Sequence, residues 1–416
     1  MVDEVWQPAE RWSESERRAW QDRRLREVVS AAVPYASALE ERVRSAGVDP
    51  AHVSLKDLAR VPVLHKDTLP AIQRQALPFG GWLGVPINGL LRVFRSPGPI
   101  FDPEGRDDDY WRFAPALFAA GIRPADLVLN TFAYHLTPAG HMFDSALRAL
   151  GCPVVASGPG NTEAQVALLG DLPLTGFVGT PSFLATILEA AAEAKTAHRL
   201  RVGFVIAEML SELLRQRLQE HFGVHVRQGY GTADLGSIAY ECSAKQGMHV
   251  SHDIVVEITD PHTGTHVEAG APGEVVVTAL NPVYPLIRFG TGDLALEGSG
   301  PCPCGRTGPR LARILGRVGD AVKVRGMFVH PAEVDQAMSR HREVARYQIV
   351  VTRTGHDDNM LMRAEVQPGA AASDDLGERI RQTLQDAVRL RGTVEVVPAG
   401  SLPADAKKIV DQRTWD

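Results

Sequence analysis

Between residues 127 and 226, short apolar runs alternate with stretches that read as helices, and few folds accommodate that alternation. Leu127–Asn130, Cys152–Ala156, Gly176–Gly179, Val202–Ile206 and Val224–Val226 are too short and too apolar for amphipathic helices. Met142–Leu150, Glu163–Leu169, Ser182–Ala194 and Ser211–His221 separate them as helical segments. Continuous apolar runs suit strands buried on both faces, and intervening helices make the crossovers that parallel neighbours require. The pattern predicts an α/β fold, a largely parallel sheet with helices on its faces. Residues 9–47 and 68–75 also read as helical. From about residue 250 the chain turns strand-rich, with Ile254–Ile258 and Glu274–Thr278 bracketing a Gly/Pro turn. Beyond Gly316-Arg317-Val318-Gly319-Asp320 the tail reads as a strand, helix 332–339, strands 347–352 and 360–366, helix 374–390 and strand 393–397. We therefore expect a large domain, 1–316, and a small α+β domain, 317–416.

Charge and composition narrow the function. A net charge of −6, with no stripe of Lys and Arg, argues against nucleic-acid binding. No apolar run approaches the roughly 18 residues of a membrane span. The acidic start Met1-Val-Asp-Glu is unlike a signal peptide, and 4 cysteines among 416 residues suit a cytoplasmic protein. Arg106-Asp107-Asp108-Asp109 reads as a solvated helix start.

Three of those cysteines recur near one histidine. Cys302 and Cys304 lie in Pro-Cys-Pro-Cys-Gly-Arg306, and Cys242 and His249 lie about fifty residues earlier. Soft ligands clustered in a polar stretch point to a closed Zn²⁺ site with a structural role; scattered buried thiols are the other reading. Cys152, beside Pro-Val-Val, reads as core.

Gly229-Tyr230-Gly231-Thr232-Ala233-Asp234 follows an apolar run. A glycine-flanked aromatic after a strand suits a purine face, and the nearby carboxylate suits a divalent cation. A glycine-rich turn with a hydrogen-bonded Asp accounts for the hexapeptide as well. Asp293, on a loop between glycines, suits the two hydroxyls of a ribose or an ordinary cap.

The order of these motifs resembles the adenylate-forming superfamily and, within it, the phenylacetate-CoA ligase family, over about residues 55–416. The carriers are Gly229–Asp234, Pro285-Leu-Ile-Arg288-Phe-Gly-Thr-Gly-Asp293, Cys302–Arg306, and Ile314–Asp320 leading into Lys323-Val-Arg-Gly-Met-Phe-Val-His-Pro331. Leu64-His-Lys-Asp67, Gly158–Glu163 and Thr180-Pro-Ser182 are also similar to that family. The resemblance implies a two-step reaction using ATP, Mg²⁺ and coenzyme A. A carboxylate attacks the α-phosphate, giving acyl-adenylate and pyrophosphate; the small mobile domain rotates, and a thiol displaces AMP. It also implies roles. Tyr230, with Gly231 and Thr232, would contact adenine beside Ala207 and Glu208. Asp234 would hold Mg²⁺, Asp293 the ribose, and Arg317 and Lys323 would complete the nucleotide set. The acyl-binding segment maps to Asn130–Gly140, where Phe132, Tyr134, His135 and Gly140 would receive an aromatic acid.

The departures from that family matter as much. Its phosphate loop is rich in Ser, Thr and Gly and ends Gly-Lys-Pro, whereas here the segment is Phe94-Arg-Ser96-Pro-Gly98-Pro-Ile-Phe-Asp-Pro-Glu-Gly105. Ser96 and Gly98 are left for pyrophosphate. Ala233 replaces a hydroxyl residue, and Gly319 stands at the hinge. The catalytic lysine is expected at Lys408 or Lys407, because Leu402-Pro-Ala-Asp-Ala-Lys-Lys-Ile-Val-Asp411 is a shortened form of the family's run. The expected partners are ATP, coenzyme A and an aryl or arylacetic acid, with a homodimer left open. A carrier-protein thiol, an amine or nitrite as acceptor, and a catalytically weakened nucleotide-binding homologue, are the alternatives.

Overall fold

The computed structural model describes residues 3–96, 99–318, 322–324, 327–329, 331–354, 357–370, 373–388, 390–403 and 406–413. They form two units. The first is Met1–Gly270, Val275–Thr291 and Glu297–Arg313; the second is Ala271–Glu274, Gly292–Leu296 and Ile314–Asp416. Gly98, Gly319 and Asp320 lie outside the described residues, as does the side chain of Lys323.

The strands are Leu64–His65 (β1), Arg92–Ser96 (β2), Ile100–Glu104 (β3), Leu127–Asn130 (β4), Val154–Ala156 (β5), Leu174–Gly179 (β6), Val202–Val205 (β7), His225–Thr232 (β8), Gly236–Glu241 (β9), Met248–Val250 (β10), Ile254–Thr259 (β11), Gly273–Ala279 (β12), Phe289–Gly298 (β13) and Arg310–Arg317 (β14). All except the β2–β3 hairpin join one sheet, ordered β11-β12-β13-β14-β10-β9-β8-β7-β6-β4-β5, with β1 beside β13. From β5 to β8 the pairing is parallel, as the alternation of runs and helices predicts. The two faces of this sheet read directly from the sequence, because neighbouring strand residues point to opposite sides. Val128, Val178 and Phe204 pack with Leu117, Phe143 and Leu147 on one side. Leu129, Phe177 and Val205 pack with Leu184, Ile187 and Leu188 on the other. Each such side chain, fully buried, contributes roughly 1.5–3 kcal/mol.

The pairing changes sense inside β8. His225–Gln228 run parallel to β7, whereas Gly229–Thr232 pair antiparallel with β9. The hexapeptide therefore does not follow the strand, as its composition suggested; its first four residues are strand. Glycine is required there by close approach. A Cβ on Gly229 would lie 2.4 Å from the Phe204 ring, and one on Gly231 would lie 2.3 Å from the Gly236 carbonyl oxygen.

The helices differ from expectation at two places. Residues 9–47 are not one helix: Glu14–Ala32, capped by Ser13, and Ser37–Ser45 are separated at Pro34, which has no N–H to continue the ladder. Residues 212–221 begin as an α-helix, Glu212–Gln216, and finish as a π turn, Arg217–His221.

In the second unit Val322–Val324 (β15) pairs with Met327–Val329 (β16). Val344–Thr354 (β17), Asp357–Val366 (β18), Thr393–Val397 (β19) and Ile409–Asp411 (β20) form a sheet ordered β19-β18-β17-β20. Ile349, Val351, Met362 and Ala364 share a core with Val334, Ile380 and Leu384 of the helices Pro331–Met338 and Asp374–Val388. The final strand β20 has no counterpart in the sequence reading.

Candidate active site

At the end of β8 the turn 233–235 brings one carboxylate back into the protein. The Thr232 hydroxyl oxygen accepts the Leu235 N–H at 3.2 Å, tightening the turn around Asp234. Asp234 is buried, and its Oδ2 accepts from the Lys66 ammonium at 2.6 Å, while Oδ1 has no hydrogen-bond partner. Tyr230 is buried too. Its hydroxyl donates to Thr291 Oγ1 at 3.1 Å, and Thr291 donates onward to the Val275 carbonyl at 3.0 Å. Buried Ser96 ends β2, directly across the hairpin from β3. On β3 stands Asp102, 0% exposed, with neither oxygen hydrogen-bonded in ordinary geometry. Burial, and then Asp234, push its carboxyl up to about 8, against the pull of Ser96 and Lys66. Neither Lys66 nor Asp102 was singled out from sequence as a site residue.

The other first-unit candidates lie on loops after strands. Ala207, two residues beyond β7, is exposed and left-handed at φ 74°, a strained conformation for a residue with a Cβ. Exposed Glu208 accepts the Ser182 N–H at 3.4 Å. After β4, Phe132 stacks on Phe143 with ring centroids 5.1 Å apart. Asn130 Nδ2 donates to both the Tyr134 hydroxyl, 2.8 Å, and the Gly140 carbonyl, 2.9 Å. Gly140 has to be glycine, since a Cβ would sit 2.5 Å from the Ala133 carbonyl oxygen. Burial, with Asp144 adding to it, raises the Tyr134 phenol far above its ordinary range. His135 is exposed.

In the second unit, Asp293 and Arg317 meet as an ion pair, Nε to Oδ1 3.1 Å, with the arginine 63% exposed. Lys408 Nζ lies 2.7 Å from both oxygens of Asp335, which also accepts from the Tyr347 hydroxyl at 2.7 Å. Lys407 is exposed, and its carbonyl accepts from Gln348 Nε2 at 3.1 Å.

Cys242, His249, Cys302 and Cys304 converge, all buried, with their donor atoms within 4.8 Å of one another. Cys242 Sγ is 3.6 Å from Cys302 Sγ, and Cys304 Sγ is 3.3 Å from His249 Nε2. That is too long for a disulfide, about 2.05 Å. It matches the edge of a tetrahedron with Zn–S near 2.3 Å, about 3.8 Å. Burial pushes the Cys242 thiol up to about 12, and burial with Arg306 and Arg310 pushes His249 down to about 3, so the imidazole is neutral and able to ligate. The N-terminal segment fastens this loop. Arg306 Nε donates to Glu10 at 2.6 Å, and the Asp3 N–H donates to the Cys304 carbonyl at 3.0 Å.

Two charged residues have structural work that their motifs did not announce. Arg288 is buried, paired with Glu257 at 3.0 Å and donating to the carbonyls of Val61 and Gly264. Asp109 is not part of a solvated helix start. It turns inward to accept the N–H groups of Phe113 and Ala114 at 3.0 and 2.9 Å, and burial raises its carboxyl to about 7.

Comparison with known proteins agrees with this geometry. Residues 128–281 match the AMP-binding enzyme family, and residues 326–413 match the AMP-binding enzyme C-terminal domain. A phenylacetate-coenzyme A ligase of Thermus thermophilus is 31% identical, covering 93% of both chains. One from Aromatoleum evansii is 29% identical over 98% of this chain and 97% of its own. A 2-hydroxyisobutyryl-CoA ligase, solved in an open conformation with 2-HIB-AMP and CoA, superposes with a TM-score of 0.86 at 28% identity, over 97% of this chain and 93% of that one. Among the described residues no helix is long and apolar enough to cross a membrane.

Proposed function

The chain belongs to the phenylacetate-coenzyme A ligase family of AMP-binding enzymes, and from that premise we propose how its residues divide the work. It activates a carboxylic acid as the acyl-adenylate and transfers the acyl group to coenzyme A. The acid is aryl or arylacetic. This is supported by the Phe132–Phe143 stack and by the Tyr134 hydroxyl, held by Asn130 in the same segment. The names of the phenylacetate relatives point the same way.

A carboxylate is a poor acyl donor, and the protein's task is to position it against the α-phosphate and screen the charge that develops. Tyr230, Gly231 and Thr232 form one side of the adenine site, with Ala207 and Glu208 on the strained loop at its edge. Asp293 takes the ribose hydroxyls, and Arg317, which it already holds, reaches the ribose or phosphate. Ser96 and Gly98 contact pyrophosphate, and Lys323 completes the set. Asp234 fits a Mg²⁺ ion, since its Oδ1 is buried without a hydrogen-bond partner and is a hard oxygen donor. When bound, that ion screens the transferring phosphates. Lys408, or Lys407, approaches for the first step and withdraws for the second, carried by a mobile domain 317–416 against a domain 1–316 that binds ATP and acid. The ammonium suits this task because it is a compact charge on a flexible stem. Cys242, His249, Cys302 and Cys304 hold a Zn²⁺ ion with no open position, so its role is structural. Four unpaired cysteines fit a cytoplasmic setting.

The observation that carries this reading is the end of β8, where a sheet changing from parallel to antiparallel presents Tyr230 and Asp234 together. Pyrophosphate release across a panel of aromatic acids tests it. Release only with aliphatic acids would overturn the aromatic assignment.

A further inference from the structure

The first unit holds a cavity of about 470 Å³, lined by none of the residues assigned above to nucleotide, acid or metal. That volume falls within the range of small-molecule sites, roughly 300–1,000 Å³. Its walls come from the N-terminal segment at Trp6, the helix Glu14–Ala32 at Trp20, the loop after β3 at Arg112 and the loop before β11 at Asp253. The two indoles supply flat apolar surface. Trp20 is held by its neighbours, with ring centroids 5.4 Å from His252 and 5.7 Å from Trp12. His252 is fixed in turn, since its Nδ1 lies 3.1 Å from the Gln7 amide and its carbonyl accepts from Gln21 at 3.0 Å.

Two polar atoms on this wall lack what buried polar atoms nearly always have. Arg112 and Asp253 form an ion pair, Nε to Oδ2 3.4 Å, with side chains 13% and 22% exposed. Arg112 Nε and Asp253 Oδ1 are nevertheless buried without hydrogen-bond partners. An orphan donor beside an orphan acceptor marks a place for a group that is both acceptor and donor. The rest of the guanidinium is engaged, donating to the Tyr110 carbonyl at 3.1 Å and to the Leu235 carbonyl. The Arg112 backbone is left-handed at φ 61°, a strained conformation of the kind that clusters at ligand clamps. The other charges on the wall already have counterparts. Arg24 meets Glu27 at 3.4 Å, and both Asp109 oxygens accept backbone N–H groups. A charged ligand would have to break one of these pairs, whereas a neutral one leaves them intact.

We propose that this cavity is a second ligand site, taking a flat, uncharged molecule whose edge carries an N–H beside a carbonyl, as in an aryl carboxamide or a lactam heterocycle. The ligand carbonyl accepts from Arg112 Nε, its N–H donates to Asp253 Oδ1, and its ring lies against Trp6 and Trp20. The site stands apart from the ligase reaction, because no residue lining it has been given a part in that chemistry.

Calorimetric titration of the full-length protein with benzamide and with 2-pyridone, one probe of each class, tests the proposal. One equivalent of either should bind, with the same affinity when AMP and phenylacetate are present in excess. Acetophenone keeps the ring and the carbonyl but has no N–H, and should bind about tenfold or more weakly. Asp253→Ala should weaken benzamide by about the same factor and leave acetophenone unchanged. No saturable binding of either probe, equal affinity for acetophenone, or equal loss of both ligands in Asp253→Ala overturns the proposal. Displacement of benzamide by phenylacetate also overturns it, by placing the probe in the acyl pocket. Should Asp253→Ala fail to fold, Trp6→Ala decides: it should weaken benzamide and acetophenone alike, and unchanged affinity there sinks the site.

Discussion

Replacing Cys304 by serine should cost the first unit a cross-link, not merely a thiol. The cluster joins Cys242 to Cys302 across 60 positions, through donors already within tetrahedral reach. Treated as a chain cross-link, closing a span of that length limits the unfolded state by about 4 kcal/mol. For a unit this large the loss corresponds to a fall of roughly 10 °C in melting temperature. Cys152→Ser is the control, since that thiol is also buried but donates to the Arg123 carbonyl, outside the cluster. Elemental analysis should find near-stoichiometric zinc in the wild type and in Cys152→Ser, and little in Cys304→Ser. A chelator should reproduce the drop in the wild type and leave Cys304→Ser unmoved. The sign of the pH dependence follows from the ligands. Burial holds the Cys242 proton up to about 12 in the metal-free site, so zinc must expel it. Stripping should therefore be easier at pH 6 than at pH 8. No zinc in the purified protein, or equal destabilisation by Cys152→Ser and Cys304→Ser with no response to chelator, refutes the reasoning.

Lys408→Ala and Lys407→Ala, assayed separately, should yield one variant that loses adenylate formation yet still makes thioester from supplied acyl-adenylate; retention of the first step by both removes the lysine assignment. Arg317→Ala should raise KM for ATP about tenfold or more with almost no change in melting temperature, because an ion pair this exposed contributes at most about 1 kcal/mol; unchanged KM with a lower melting temperature would contradict it. Asp109 is raised to about 7 from an unfolded value near 3.9, so the folded state binds the proton more tightly and stability falls as pH rises through that window. Thermal melts of Asp109→Asn against wild type from pH 4 to 7 should lack that part of the slope, and parallel curves would exclude it.

Much of the fold was legible because burial on both faces leaves a plain signature. The runs at 127–130, 176–179 and 202–206 are apolar apart from Asn130, and each became part of a parallel strand. The cysteine cluster was legible for a different reason, since few residue types serve as soft ligands. What stayed hidden depends on long-range pairing. Nothing near Lys66 announces Asp234, 168 positions away, although no other lysine occurs between 57 and 194. Asp102 sits in an unremarkable Phe-Asp-Pro, and nothing local announces that β3 buries it completely. Arg288 stands inside the Pro285–Asp293 motif, yet its partners Val61, Glu257 and Gly264 come from distant segments. The strand character of Gly229–Thr232 was missed because β9, not local propensity, extends β8.

Acid-dependent pyrophosphate release, measured with phenylacetate and related aryl acids in the presence and absence of coenzyme A, tests the central claim most directly. The account predicts release that requires the acid, thioester only when coenzyme A is added, and a loss of both by orders of magnitude in Asp234→Asn as the metal's screening of the phosphates disappears. No release with any acid, or near-wild-type release from Asp234→Asn, would contradict it.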